Sequence, residues 1–349
     1  MNKEKKSHNV LTQIIKYVLP LVISIGLCWL LFTGIDFDEM ISIIRQQCDF
    51  RWIALGFVFS IGAQVSRAYR WRIQLRALGV NPPVYALVYS IFGTYAVNLV
   101  FPRLGEVWRT GYIAQRQNAP FTSVFGSMVA DRLSDTIAVA LITLLAFIVA
   151  SGAILDFIAQ NGADYASIAR IVESPWLWGA AILSLVLLWL FMRWKTSNRW
   201  ISKVQKAVRE LWQGFAVVVR MPGKGKWLLF TAGIWVCYFM QMYVSFYAFP
   251  FTRALIDSYG IQAALVTFVL GSLSMGVPSN GGIGPWQWAV IFALGIYGLP
   301  KAEASAFANL SLGTTTLLTI FLGIITFIGI ALDKKRSKHD NKTQTIKRN

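Results

Sequence analysis

Two charged clusters interrupt long apolar runs, and their placement restricts the fold more than any other feature of the chain. Val100-Phe101-Pro102-Arg103-Leu104-Gly105-Glu106-Val107-Trp108-Arg109 sets two arginines and a glutamate around a Pro/Gly break, and Asp131-Arg132-Leu133-Ser134-Asp135 lies within the next apolar run. A charge at mid-bilayer costs roughly 2.5–3.5 kcal/mol, so six unpaired ones would cost on the order of 15–20 kcal/mol. That exceeds the net stability of about 5–15 kcal/mol of most folds. These residues must pair, line water or sit at an interface.

The surrounding sequence is that of an all-α polytopic membrane protein. It is 56% hydrophobic and 14% charged, against about 25% charged in soluble domains. A span needs about 20 apolar residues. Six full spans are expected near 17–35, 50–67, 121–150, 176–192, 227–250 and 307–331. Two further apolar regions, about 84–119 and 261–298, are broken by Pro/Gly motifs. The domain plan is a basic tail over 1–16, one transmembrane domain over 17–331 and a second basic tail over 332–349. No small-residue cleavage site follows Ile35, so the first span is read as uncleaved. Cys28 and Cys237 fall in spans and Cys48 in a loop, which gives no disulfide framework. The histidines, His8 and His339, lie in the tails, so the membrane region lacks the commonest general base and metal ligand. Neither a metal nor a cofactor is expected.

Charge placement sets the expected orientation. Residues 1–16 carry four Lys against Glu4, the loop 193–226 nine Lys/Arg against Glu210, and the tail from Leu332 seven against Asp333 and Asp340. The positive-inside rule makes all three cytoplasmic, and the linkers 36–49 and 151–175, with one Arg each, external. Beside membrane spans, such basic surfaces suit anionic lipid rather than nucleic acid. Within 199–219, Trp200, Val204, Val208, Leu211, Phe215 and Val219 alternate with Arg199, Lys203, Lys206 and Arg209, predicting a basic amphipathic helix at the cytoplasmic interface.

In this orientation, residues 68–120 begin and end on the cytoplasmic side, so 84–101 enters, breaks at Pro102–Gly105 and returns. Residues 251–306 begin and end outside around the uncharged Gly276-Val277-Pro278-Ser279-Asn280-Gly281-Gly282-Ile283-Gly284-Pro285-Trp286-Gln287-Trp288. Non-helical backbone at membrane depth is tolerated only within protein or beside a wet cavity. Two opposed re-entrant hairpins point to an inverted repeat with a site at the repeat interface; two ordinary hairpins, giving eight spans, are the alternative.

Asp131, Arg132 and Asp135 can be neighbours at i,i+3 and i,i+4. Ser127 and Ser134 extend that polar stripe, and Gly126 would admit another helix. The stripe reads either as a lining for a polar site or as a buried ion pair that fixes packing. Arg103, Glu106 and Arg109 recur every third residue, so one helical face could present them to a phosphate, for which the planar guanidinium fork is suited. Helix N-termini after Pro102 and Pro285 would add free N–H groups. Snorkelling of these arginines to headgroups is the other reading, and Arg67-x-x-Arg70-Trp71-Arg72 reads as an interfacial anchor.

Arg70-Trp71-Arg72, Asn98 with Pro102-Arg103-x-Gly105-Glu106-x-x-Arg109, Asp131-Arg132-x-x-Asp135 and Pro278 with Gly281-Gly282-Ile283-Gly284 follow one another in an order that resembles the flippase-like family containing the transmembrane region of lysylphosphatidylglycerol synthases. The resemblance runs from about residue 12 to 332 and implies movement of a lipid between leaflets, aminoacylated phosphatidylglycerol among them. The chain differs in having Gln287 where the family often has glutamate, and no arginine in 307–331. The family's aminoacyl transferase lies in a separate soluble domain, whereas here a short tail follows Leu332, so lysine transfer is not expected.

The resulting expectation is a translocator of a phospholipid or lipid-linked headgroup in a bacterial cytoplasmic membrane, with both termini cytoplasmic. Arg103, Arg109 and Arg132 would contact the phosphate, while Glu106, Asp131 and Asp135 would position them or receive a polar or cationic headgroup. Pro102, Gly105, Pro278, Gly281, Gly282, Gly284 and Gln287 would shape the moving backbone. An intramembrane enzyme using the carboxylates as acid and base, and a subunit anchoring a separate lipid-modifying enzyme, are the two rival readings.

Overall fold

Prolines and glycines punctuate this chain, and the helices begin and end where they fall. A computed structural model describes residues 37–101, 103–150, 221–277 and 279–348. The predicted spans 17–35 and 176–192, the linker 151–175, the amphipathic helix 199–219, the tail 1–16, Cys28, Pro102 and Pro278 lie outside the described residues. Ten α-helices and no strands are found among those described: α1 (Phe37–Gln47), α2 (Phe50–Ala77), α3 (Val84–Val100), α4 (Leu104–Arg116), α5 (Phe121–Val149), α6 (Lys224–Ser245), α7 (Pro250–Tyr259), α8 (Ile261–Ser274), α9 (Pro285–Ile296) and α10 (Lys301–Arg348).

Asp49 caps α2, its carboxylate accepting the Arg51 N–H at 3.0 Å, and the preceding chain turns through 89° into α1. Pro83 and Pro120 stand at the N-caps of α3 and α5, and Pro250 and Pro285 open α7 and α9, positions where the missing N–H costs no helical bond. Gly260, at φ 60°, makes the 113° turn between α7 and α8. Helices α5, α6 and α10 are long and apolar enough to cross a membrane, and the bent pairs α1–α2 and α7–α8 also qualify. The chain is thus a polytopic all-helical membrane protein. Helix α3, at 17 residues, extends about 25 Å, short of the roughly 30 Å hydrocarbon thickness.

Both broken regions go out and come back. In the first, Trp108 of α4 seats its ring against Gly93 of α3, where any Cβ would collide with it. In the second, Trp286 of α9 lies against Gly271 of α8, its Nε1 2.9 Å from where a Cβ would stand. The open ends meet as well: Arg116 at the end of α4 donates to the Tyr85 hydroxyl at the start of α3, and Tyr297 after α9 packs on Tyr259 before α8 with ring centroids 4.9 Å apart.

The two halves meet along α2 and α6. Helices α2 and α6 lie antiparallel along their length: Gly56 faces Gln241 and Val244, Gly62 faces Cys237, Ser66 faces Gly233, and Tyr69 stacks on Phe230. Small residues at these crossings allow the backbones to approach closely. Helix α5 then packs on α8 of the second hairpin, while α10 packs on α3 of the first. Helices α5 and α10 thus each bridge the two hairpins, α5 touching α4 as well as α8 and α10 touching α9 as well as α3.

Candidate functional site

The polar stripe of α5 faces α2 and α4 and draws four arginines onto two aspartates. Asp131 accepts Arg70 Nε at 2.9 Å, with Arg70 Nη2 at 2.6 Å and Arg109 Nη2 at 3.4 Å from its carboxylate. Asp135 accepts Arg67 Nη1 at 2.5 Å, lies 2.8 Å from Arg70 Nη2 and has Arg132 Nη1 at 3.8 Å. Arg132 turns mainly to Glu106 on α4, Nη2 to Oε1 at 2.8 Å, and Glu106 Oε2 accepts the Asn98 amide at 3.2 Å. Trp71 donates from Nε1 to Ser127 at 3.0 Å and lies under Arg109, whose guanidinium carbon is 4.6 Å from the ring centroid. Such stacking suits a desolvated guanidinium.

The cluster is sealed at one end and open at the other. Arg70, Arg109 and Asp131 are fully buried, whereas the Arg132 side chain is 35% exposed. Four guanidiniums meet three carboxylates, leaving one positive charge in excess. Donors are left over too: Arg109 Nε and Nη1, Arg70 Nη1, Arg67 Nε and Arg132 Nε are buried without a hydrogen-bond partner, against one acceptor, Asp135 Oδ1. An unsatisfied buried donor costs about 1–3 kcal/mol, more when charged. An anion would satisfy both the charge and the donors. Among the described residues no three His, Cys, Asp or Glu side chains converge to hold a metal ion.

The two breaks touch at Leu99, next in sequence to the Asn98 that holds Glu106. Arg103, at φ 61° before α4, donates from Nη2 to the Gly276 carbonyl after α8 at 2.7 Å. Gly281, at φ 64°, lies against Leu99 of α3 so closely that a Cβ would stand 2.6 Å from its Cδ2.

The model of the family described as the lysylphosphatidylglycerol synthase TM region matches residues 17–323. The chain belongs to this family. It is similar to the glycosyltransferase AglD of Haloferax volcanii, 30% identical over 131 residues, covering 37% of this chain and 21% of AglD. The match thus spans about a fifth of that relative's length. Similarity to the UPF0104 membrane protein MJ1595 of Methanocaldococcus jannaschii is end to end, 21% identical over 93% of this chain and 99% of the relative. The UPF0104 membrane protein PH1989 of Pyrococcus horikoshii is 25% identical over 139 residues, 39% of this chain and 41% of its own. No solved structure matches.

In this lysylphosphatidylglycerol synthase TM-region protein, Glu106, Arg109, Asp131, Arg132 and Asp135 come together, and Arg103 does not join them. Arg67 and Arg70 correct the reading of their segment as an interfacial anchor, because both are buried on aspartates rather than turned to headgroups. The signal was available: Arg67, Arg70, Trp71 and Gln74 recur at i, i+3, i+4 and i+7, a polar stripe that must face protein. At Gly126 no described residue of another helix comes within 4 Å of where a Cβ would stand. At each of the two helix N-termini one amide is already engaged. The Gly105 N–H donates to Asn98 Oδ1 at 2.8 Å and the Gly284 N–H to Gln287 Oε1 at 3.0 Å, so these amides are taken by side chains and not offered to a ligand. Gln287 also donates to Asn309 on α10, which makes it a cap and a tie between helices. Gly282, at φ 87° beside Met275, completes the second break.

Proposed function

We propose that this membrane protein moves a phosphate-bearing lipid between leaflets, with the arginine cluster as its phosphate site. The observation that carries the reading is the excess positive charge with unpartnered guanidinium donors beside the contact of the two breaks. A cluster built only to hold helices together would gain by matching its charges, since several kcal/mol of desolvation per ion must be offset by pairing. Arg109 and Arg132 supply donors to the phosphate, while Asp131, Asp135 and Glu106 hold the arginines in place. The breaks supply the motion. Arg103–Gly276 and Leu99–Gly281 are small contacts at positive-φ positions, and their separation exposes the cluster to one side or the other. An inverted pair of broken elements around a central site is an architecture suited to alternating access.

This reading places the protein in a bacterial cytoplasmic membrane with both termini cytoplasmic, following the basic loops. Similarity to a relative named as a glycosyltransferase supports a lipid-linked substrate shared with a separate enzyme. Catalysis by the carboxylates is disfavoured because Asp131, Asp135 and Glu106 are each engaged by arginine. The test is leaflet exchange of fluorescent phospholipids in liposomes holding the purified protein. The reading predicts exchange above protein-free liposomes and its loss in Arg132→Gln at unchanged folding. Exchange that persists in the variant would overturn the assignment of the site.

A further inference from the structure

The charge balance of the cluster restricts the headgroup as well as the phosphate, and this step rests on the translocation reading above. Every carboxylate in the cluster is held by a guanidinium: Asp131 by Arg70 and Arg109, Asp135 by Arg67 and Arg70, Glu106 by Arg132. Asp135 Oδ1 accepts no hydrogen bond, but Arg70 Nη2 stands 2.8 Å from it, so an ammonium group there would have to displace a guanidinium. A lipid with a cationic headgroup would bring a second positive charge against one already in excess, and such a juxtaposition is a repulsive element of the kind that gives specificity.

The groups next to the cluster are polar and uncharged. Tyr238 on α6 lies beneath Arg67, ring centroid to guanidinium carbon 6.0 Å, and its hydroxyl is 3.3 Å from that of Tyr95 on α3. Gln64 donates from Nε2 to the Tyr238 hydroxyl at 2.9 Å, and its Oε1 is buried with no partner. Asn98, one turn along α3 from Tyr95, touches Glu106. Hydroxyls and carboxamides of this kind exchange hydrogen bonds with a polyol or sugar and carry no charge to attract an ion. The unsatisfied Gln64 oxygen is an acceptor for a ligand hydroxyl.

We infer that the lipid carried is a phosphodiester monoanion bearing an uncharged, hydroxylated headgroup, and that cationic headgroups are rejected. Two lipids share that chemistry, a phosphatidyl polyol and a polyprenyl phosphate joined to a sugar. The −1 charge of either matches the +1 excess, while a diphosphate-linked carrier would overshoot it.

The experiment is leaflet exchange by the full-length protein in liposomes of neutral phosphatidylcholine. Tracer phosphatidylglycerol, a polyprenyl phosphohexose and lysyl-phosphatidylglycerol are compared, each labelled on its chain. Exchange of one or both uncharged-headgroup lipids is expected to be roughly tenfold or more faster than that of the lysyl lipid. The faster of the two names the source of the phosphodiester. Gln64→Glu adds a fourth carboxylate while keeping the contact to Tyr238, and is expected to bring the ratio to within a few-fold of one. Lysyl-phosphatidylglycerol moving as fast as the others in the wild type would overturn the headgroup inference and leave translocation standing. No exchange of any tracer would overturn translocation itself. An unchanged ratio in an active Gln64→Glu protein would show that charge balance is not the selector.

Discussion

The two hairpins share an outline and differ in what fills it. Each is a helix, a break and a returning helix, closed by a tryptophan on a glycine. The first carries Arg103, Glu106 and Arg109 at and after its break, and its returning helix faces the aspartates of α5. The second carries no charge from Ile261 to Ile296; it is shaped by Gly281, Gly282 and Gly284 at positive φ and by the Gln287 cap. The geometry of a broken hairpin therefore does not require charge. The ionised groups of the first are an addition to that architecture, and the proposed phosphate site is built from them.

The comparison can be broken most severely at Asp131. Asp131→Ala would leave Arg70 and Arg109 buried without their main partner, a loss of about 3–5 kcal/mol and the largest drop in thermal midpoint of the set when unfolding is followed in detergent. In the second hairpin, Gly282→Ala would force a Cβ at φ 87° to 2.7 Å from Met275 Sδ. Its expected cost is about 1–3 kcal/mol, read in the same way, and it should leave lipid selectivity unaltered in whatever protein folds. A selectivity change there would erase the distinction between the hairpins.

Gln287 gives a finer test. Gln287→Leu removes the acceptor for the Gly284 N–H and the donor to Asn309, so about 1–2 kcal/mol is expected to be lost. Gln287→Glu keeps the cap, and Asn309 can turn its amide to donate, so its loss should be smaller by chemical denaturation. The smallest effect is expected at the clasp of Arg116, Tyr85 and Asp333, which ties the open end of the first hairpin to α10. Its charges are partly exposed, so Arg116→Gln should cost below about 1 kcal/mol. A larger loss of exchange rate than of stability would mark the clasp as part of the moving machinery.

Much of this was legible in the sequence because charge and proline are loud signals in apolar segments. The cost of an unpaired charge required Asp131, Arg132 and Asp135 to find partners, and Pro102–Gly105 and Gly281–Pro285 marked the breaks. The partners were harder to find. Arg67 and Arg70 lie near the basic end of a span, where snorkelling is also a good solution, and only the fold brings α2 across α5. The fate of the N–H groups was hidden for a similar reason: Asn98 and Gln287 reach back to Gly105 and Gly284 only once the turns exist.

The central claim is that the cluster receives a lipid phosphate, and the most direct measurement is the stabilisation that a short-chain phosphatidylglycerol confers on the purified protein. A ligand bound to the folded state raises the thermal midpoint with its concentration. The account predicts a concentration-dependent rise in the wild type and little or none in Arg132→Gln, whose midpoint without lipid should fall only slightly because Arg132 is the most exposed arginine of the cluster. An equal rise in both proteins would contradict it and leave the arginines as a device for packing helices.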